Sequence, residues 1–191
     1  MNPHPFLEIS DHPDWSALKP QCIVNDITLA LEKAEENLQI IRDVDHEKVT
    51  FTNSVKALEQ ATQILDKAWG LVGHLESVCN SEELRDAHNE VLPAVSEFGA
   101  KIPLDPKLWL TVKAFTESEE SKNLIPIDQR LYEETLQDFE EAGANLPQEK
   151  KDRLEEISSE LARVTQKFSE NVLDATNAWQ MIVKEEEKLK G

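Results

Sequence analysis

Apolar residues recur at steps of three and four along most of this chain, the spacing of helices with one buried face. Ile23, Ile27, Leu31, Ala34, Leu38 and Ile41 predict a helix over about residues 21–44. Val55, Leu58, Thr62, Leu65, Trp69 and Val72 predict a second, and Leu84, Ala87, Val91, Val95 and Phe98 a third. Shorter stripes at Leu108, Trp109, Val112 and Phe115, and at Leu131, Tyr132, Thr135, Phe139 and Ala142, predict two more. The longest runs Leu154, Ile157, Leu161, Val164, Phe168, Val172, Ala175, Trp179 and Ile182. Neither Pro nor Gly interrupts the window from Pro147 to Lys188. One helix of about 40 residues would be roughly 60 Å long, against a radius of gyration of about 16 Å for a compact domain of this size. The expected fold is all-α: an elongated multi-helix bundle of about six helices, packed up and down around a long C-terminal helix whose stripe is buried. No alternating strand pattern competes.

Proline and glycine punctuate this reading. Pro3, Pro5, Pro13 and Pro20 make residues 1–20 an extended N-terminal arm, with Phe6, Leu7, Ile9, Trp15 and Leu18 to anchor it on a bundle of residues 21–191. Thr50 or Thr52 is placed to cap the second helix, Asn80 with Glu83 to box the third, and Asp128 to cap the fifth. Pro93 should kink the third helix, and Gly99 is placed to end it. Asp105-Pro106 opens the fourth, and Gly143 is the expected left-handed stop of the fifth.

Charge narrows the function. The formal net charge is −18, so a phosphate backbone or an anionic membrane would be repelled. No nucleic-acid or membrane partner is expected. Cys22 and Cys79 are far apart and form no disulfide framework. With no leader-like N-terminus, the chain reads as cytoplasmic.

Catalytic patterns are absent. His46 and Glu47 begin a zinc-hydrolase-like motif, but Thr50 stands where the second histidine must lie. There is no phosphate-binding glycine loop and no nucleophile elbow. His74 and His88 flank one turn and, with Cys79 and a carboxylate, make a weak metal candidate. The feature that packing alone does not explain is polar. Asn171, Asp174 and Asn177 sit among the apolar positions of the last stripe, just before Trp179. Buried polar groups need partners. A polar network inside the bundle is one role for the three polar residues. A complete acidic helical scaffold that binds a partner helix in a groove is the alternative reading.

Two stretches resemble a known family. One is His74-Leu-Glu-Ser-Val-Cys-Asn-Ser-Glu-Glu-Leu-Arg85, continuing to Leu92-Pro-Ala-Val-Ser-Glu-Phe98. The other runs from Leu136 to Gly143, through Leu146-Pro-Gln-Glu-Lys150, to Phe168-Ser-Glu-Asn-Val-Leu-Asp-Ala-Thr176. Together they are similar to the N-terminal helical region of oligopeptidase A in the thimet-oligopeptidase family of zinc metallopeptidases. The resemblance implies a helical channel wall with no catalytic or metal-binding residue of its own, and it makes Asn171, Asp174, Asn177 and Trp179 candidates for contacts between domains or with the channel. It implies zinc as cofactor of the full-length enzyme and none in this segment. Its implied partners are a C-terminal catalytic lobe of the same chain and short peptide substrates. On this reading the natural chain continues past Gly191. The end of the last stripe, around Val172, Trp179 and Ile182, should then be an exposed apolar patch.

Overall fold

The computed structural model describes residues 3–8 and 12–185. All regular structure among them is helical: α1 (Pro20–Arg42), α2 (Val55–Ala61), α3 (Gln63–Val78), α4 (Glu82–Lys101), α5 (Pro106–Thr116), α6 (Pro126–Ala142) and α7 (Gln148–Ala178), with short 3-10 turns between. Only Thr62 separates α2 from α3, so the expected count of about six holds if these two are taken as one.

The central helix is α1, which corrects the expectation that the bundle forms around the C-terminal helix. Ile23, Ile27, Ala30, Ala34, Leu38 and Ile41 are all buried along it. Its first half packs with Leu65, Ala68 and Val72 of α3 and Leu84 and Val91 of α4. Its last turns meet Leu108 and Trp109 of α5 and Phe139 of α6. A third cluster, Val49, Phe51, Val55, Phe115 and Tyr132, closes the far end. Ala30 and Ala34 are small and lie on this buried stripe, so neighbouring helices can approach α1 closely there.

The N-terminal segment is tied to α1 by a buried carboxylate. Asp26 is fully buried; its Oδ2 accepts the Phe6 N–H at 3.0 Å, and its Oδ1 lies 2.9 Å from His4 Nδ1. Phe6 and Leu18 are buried, whereas Trp15 stays half-exposed with its ring 5.5 Å from that of His74. Ile9 lies outside the described residues.

Several helix ends differ from expectation. Ser81, not Asn80, caps α4 by accepting the Leu84 N–H, because the Asn80 amide turns back to Glu76. The helix runs on through Pro93 and past Gly99. Pro126 opens α6, placing Asp128 in its first turn. The Thr50 hydroxyl accepts from Asn53 in the turn before α2, whose N-cap is Ser54. Asp105 caps α5 as expected, accepting from Lys107 and Leu108. Gly143 closes α6 at φ 101°, with the Ala144 N–H donating to the Phe139 carbonyl at 2.8 Å. A side chain at Gly143 would be strained by this positive φ, and its Cβ would lie 2.7 Å from Leu146 Cδ1, which would have to shift.

Replacing Asp26 with Ala should leave the Phe6 N–H without an acceptor and cost about 1–3 kcal/mol. The checks are urea unfolding and faster proteolysis ahead of Pro20.

Candidate functional site

The last helix is the part of the fold that departs most from its sequence pattern. It ends at Ala178, ten residues short of Lys188, and Trp179 is extended (φ −77°, ψ 130°). Residues 179–185 carry no helix. Thr176 and Asn177 are weak helix formers, and the segment from Trp179 to Ile182 is exposed. A helix end without packing has little to hold it.

The buried side of α7 is its polar side, which overturns the expectation of a buried stripe. Lys151 and Glu170 are each 5% exposed, while Leu161 is 61% and Phe168 67% exposed. Ile157, Val164, Val172, Trp179 and Ile182 are exposed too, so the patch expected at the end of the stripe extends back to Ile157. Glu155, Ala162, Gln166 and Leu173 share the half-buried side. At 3.6 residues per turn, that side lies about 140° around the helix from the apolar stripe.

This polar side is built to fit α4. The Asn89 amide donates to Glu170 Oε1 at 2.7 Å, and Lys167 Nζ lies 3.3 Å from Oε2. One turn away on α4, Arg85 grips Asp174 through both terminal nitrogens, at 2.7 and 3.1 Å. At the other end, the buried Lys151 ammonium donates to the Leu104 carbonyl at 3.0 Å. The hydrogen bond from Asn89 holds the Glu170 carboxyl below its ordinary range despite burial, and Lys167 acts in the same direction. The Arg85 hydrogen bonds lower Asp174 likewise. Between the two helices lies an open groove of about 710 Å³, lined by Asn89, Pro93, Ser96, Ala162 and Gln166 among others.

The four candidate residues therefore separate. Asp174 is engaged within the chain by Arg85. Asn171, Asn177 and Trp179 are exposed. Sequence reasoning missed Glu170, Asn89, Arg85 and Lys151, which attach the helix. The available signal was the second periodic face of α7, Lys151–Glu155–Ala162–Gln166–Glu170, opposite a polar pair four residues apart on α4.

The histidine candidates do not assemble. His88 is buried and stacked on Trp69, with ring centres 4.6 Å apart, while His74 lies against Trp15. Among the described residues, no group of three or more His, Cys, Asp or Glu side chains is placed to hold a metal ion. No helix among them is long and apolar enough to cross a membrane.

What remains is a helical domain with a polar-clamped outer helix and, among the described residues, no cluster of metal-binding side chains. The family described as Neurolysin/Thimet oligopeptidase, N-terminal domain, matches residues 20–151. The chain belongs to this family. The match covers α1 to α6 and stops as α7 begins, but similarity to whole relatives continues through α7. Oligopeptidase A of Haemophilus influenzae is 31% identical over 98% of this chain and 27% of its own length. Oligopeptidase A of Escherichia coli is 30% identical over 98% of the chain and 28% of its own length. The probable cytosolic oligopeptidase A of Arabidopsis thaliana is 27% identical over the full chain, again covering 27% of its own length. The chain thus spans just over a quarter of these relatives.

The clamp makes α7 sensitive to acid. Glu170 titrates lower in the folded state than in the unfolded one, so its contribution is present above the unfolded carboxylate range, about 4.3, and is lost as pH falls through the folded value. Hydrogen exchange should show α7 amides losing protection ahead of α1 on acidification. Glu170→Ala should produce the same selective loss at pH 7.

Proposed function

We propose that this chain is the N-terminal, non-catalytic part of a cytoplasmic zinc peptidase acting on short peptides, and that it forms one wall of the channel admitting them. One observation carries the reading: nearly the whole chain aligns with oligopeptidase A, while covering just over a quarter of that protein's length. The catalytic groups would then lie in a C-terminal part. Zinc does not fit the side chains described here. The two candidate histidines, His74 and His88, are held on different tryptophan rings, and no donor cluster forms among the described residues. Similarity to the probable cytosolic oligopeptidase A of Arabidopsis thaliana supports a cytosolic setting.

The exposed end of α7 is the surface offered to the C-terminal part, with Asn171, Asn177 and Trp179 as its contacts. Asp174 would act indirectly, by fixing that end of the helix to Arg85. The net charge of −18 would favour peptides carrying positive charge.

The test is hydrolysis of a quenched fluorescent peptide in the presence of zinc. The purified chain should show no turnover. A fusion carrying this chain in place of the matching segment of the Escherichia coli relative should hydrolyse the peptide. Zinc-dependent turnover by the chain alone would overturn the proposal.

A further inference from the structure

A groove of about 920 Å³ runs between α1 and α4, and none of the residues that attach α7 lines it. The early turns of α1 pack with Leu84 and Val91 and its late turns with Phe98 and Ile102, so the two helices run in the same direction. The floor of the groove is apolar. Leu31, Phe98 and Ile102 are half-buried there, and Ala94 adds only a methyl group. From Leu31 to Arg42 the α1 wall rises about 16 Å. That is the length of about five residues of extended peptide.

The rim names what the groove would hold. Its two cations are already engaged: Arg42 bonds Glu35 and Asp105, and Lys101 pairs with Glu97. Glu32 and Glu36 are left over. Both are exposed, and neither has a partner among the described residues. They stand four residues apart on one side of α1, in the same turn as Glu35. Like charges at that spacing repel each other. A cation seated between them would be held by both carboxylates and would remove the repulsion. The complement of this surface is therefore a positive group carried beside an apolar one, on a ligand a few residues long.

We infer that the groove between α1 and α4 binds a short extended peptide, with an Arg or Lys side chain between Glu32 and Glu36 and a neighbouring apolar side chain on Leu31 and Phe98. The choice of a peptide as occupant rests on the peptidase reading. The demand for a cation above an apolar floor comes from the groove alone. The preference for positive charge is then local to two carboxylates, and the diffuse field of the whole chain does not produce it.

The experiment is isothermal titration calorimetry of the chain with a pentapeptide carrying a central Arg between two Leu. Acetylation and amidation of its ends leave that side chain as the only cation. Binding should be saturable, and should weaken by about tenfold when the Arg is replaced by neutral citrulline. Glu32→Gln with Glu36→Gln should weaken it as much, with an unchanged circular dichroism spectrum, because Gln forms helix as well as Glu. Glu133→Gln with Glu134→Gln removes equal charge from exposed positions of α6 and should leave binding unchanged. In the zinc-free fusion with the Escherichia coli relative, the substitutions at Glu32 and Glu36 should weaken binding as they do in the chain. Absence of binding, equal binding of the citrulline peptide, or equal losses in the two double variants would each overturn the inference. So would a fusion indifferent to Glu32 and Glu36, since its C-terminal part would then cover the groove. Hydrolysis by the fusion without binding in the groove would defeat this inference and leave the peptidase reading standing; binding without hydrolysis would do the reverse.

Discussion

The contact between Glu170 and Asn89 decides what the outside of this protein is. An amphipathic helix ordinarily turns its apolar side to the core. Here a buried carboxylate at one point and a buried ammonium at another turn it the other way. Hydrogen bonds to charged groups are worth about 1.5–3 kcal/mol each, whereas an exposed ion pair contributes about 0–1 kcal/mol. The attachment therefore rests mainly on Glu170 with Asn89 and Lys151 with Leu104. Arg85 with Asp174, half in solvent, supplies direction more than strength.

The core itself does not need α7. The three apolar clusters are built from α1 to α6, residues just before and after them, and the N-terminal segment. Leu154 and Leu173 are only partly covered. The molecule thus combines a bundle held by apolar burial with an outer helix held by polar contacts. Elements with few buried apolar contacts open at lower free energy than the core. Acid should act on the second part before the first.

Much of this was legible in the residues. The stripes on α1, α3, α4 and α5 named the core side chains, because each of those helices has one dominant face. The resemblance carried by Phe168 to Thr176 placed the family. What periodicity leaves open is the surface a stripe meets. Leu154 to Ile182 read as buried because a stripe of that length usually is. The competing face through Lys151 and Glu170 becomes decisive only when Arg85 and Asn89 are brought opposite it from about 80 residues away. The helix end slipped for a related reason: no proline or glycine stops α7, and Trp179 turns extended where packing ends. The cap at Ser81 lay one residue from the expected position because Asn80 had a nearer partner in Glu76. Asp26 gave no warning, since its partners His4 and Phe6 lie in a segment that reads as a loose arm.

Gly143 gives the outer helix its aim. A rod of 31 residues reaches about 46 Å from its base. Tilting it by ten degrees at that pivot would carry its tip sideways by about 8 Å, more than the width of an aromatic ring. The glycine torsion, crowded by Leu146 and Leu154, holds the near end. Glu170, some two-thirds of the way along, restrains the swing. The place where Trp179 is delivered is therefore set jointly by the turn at Gly143 and by the contacts of Glu170 and Asp174 nearer the tip.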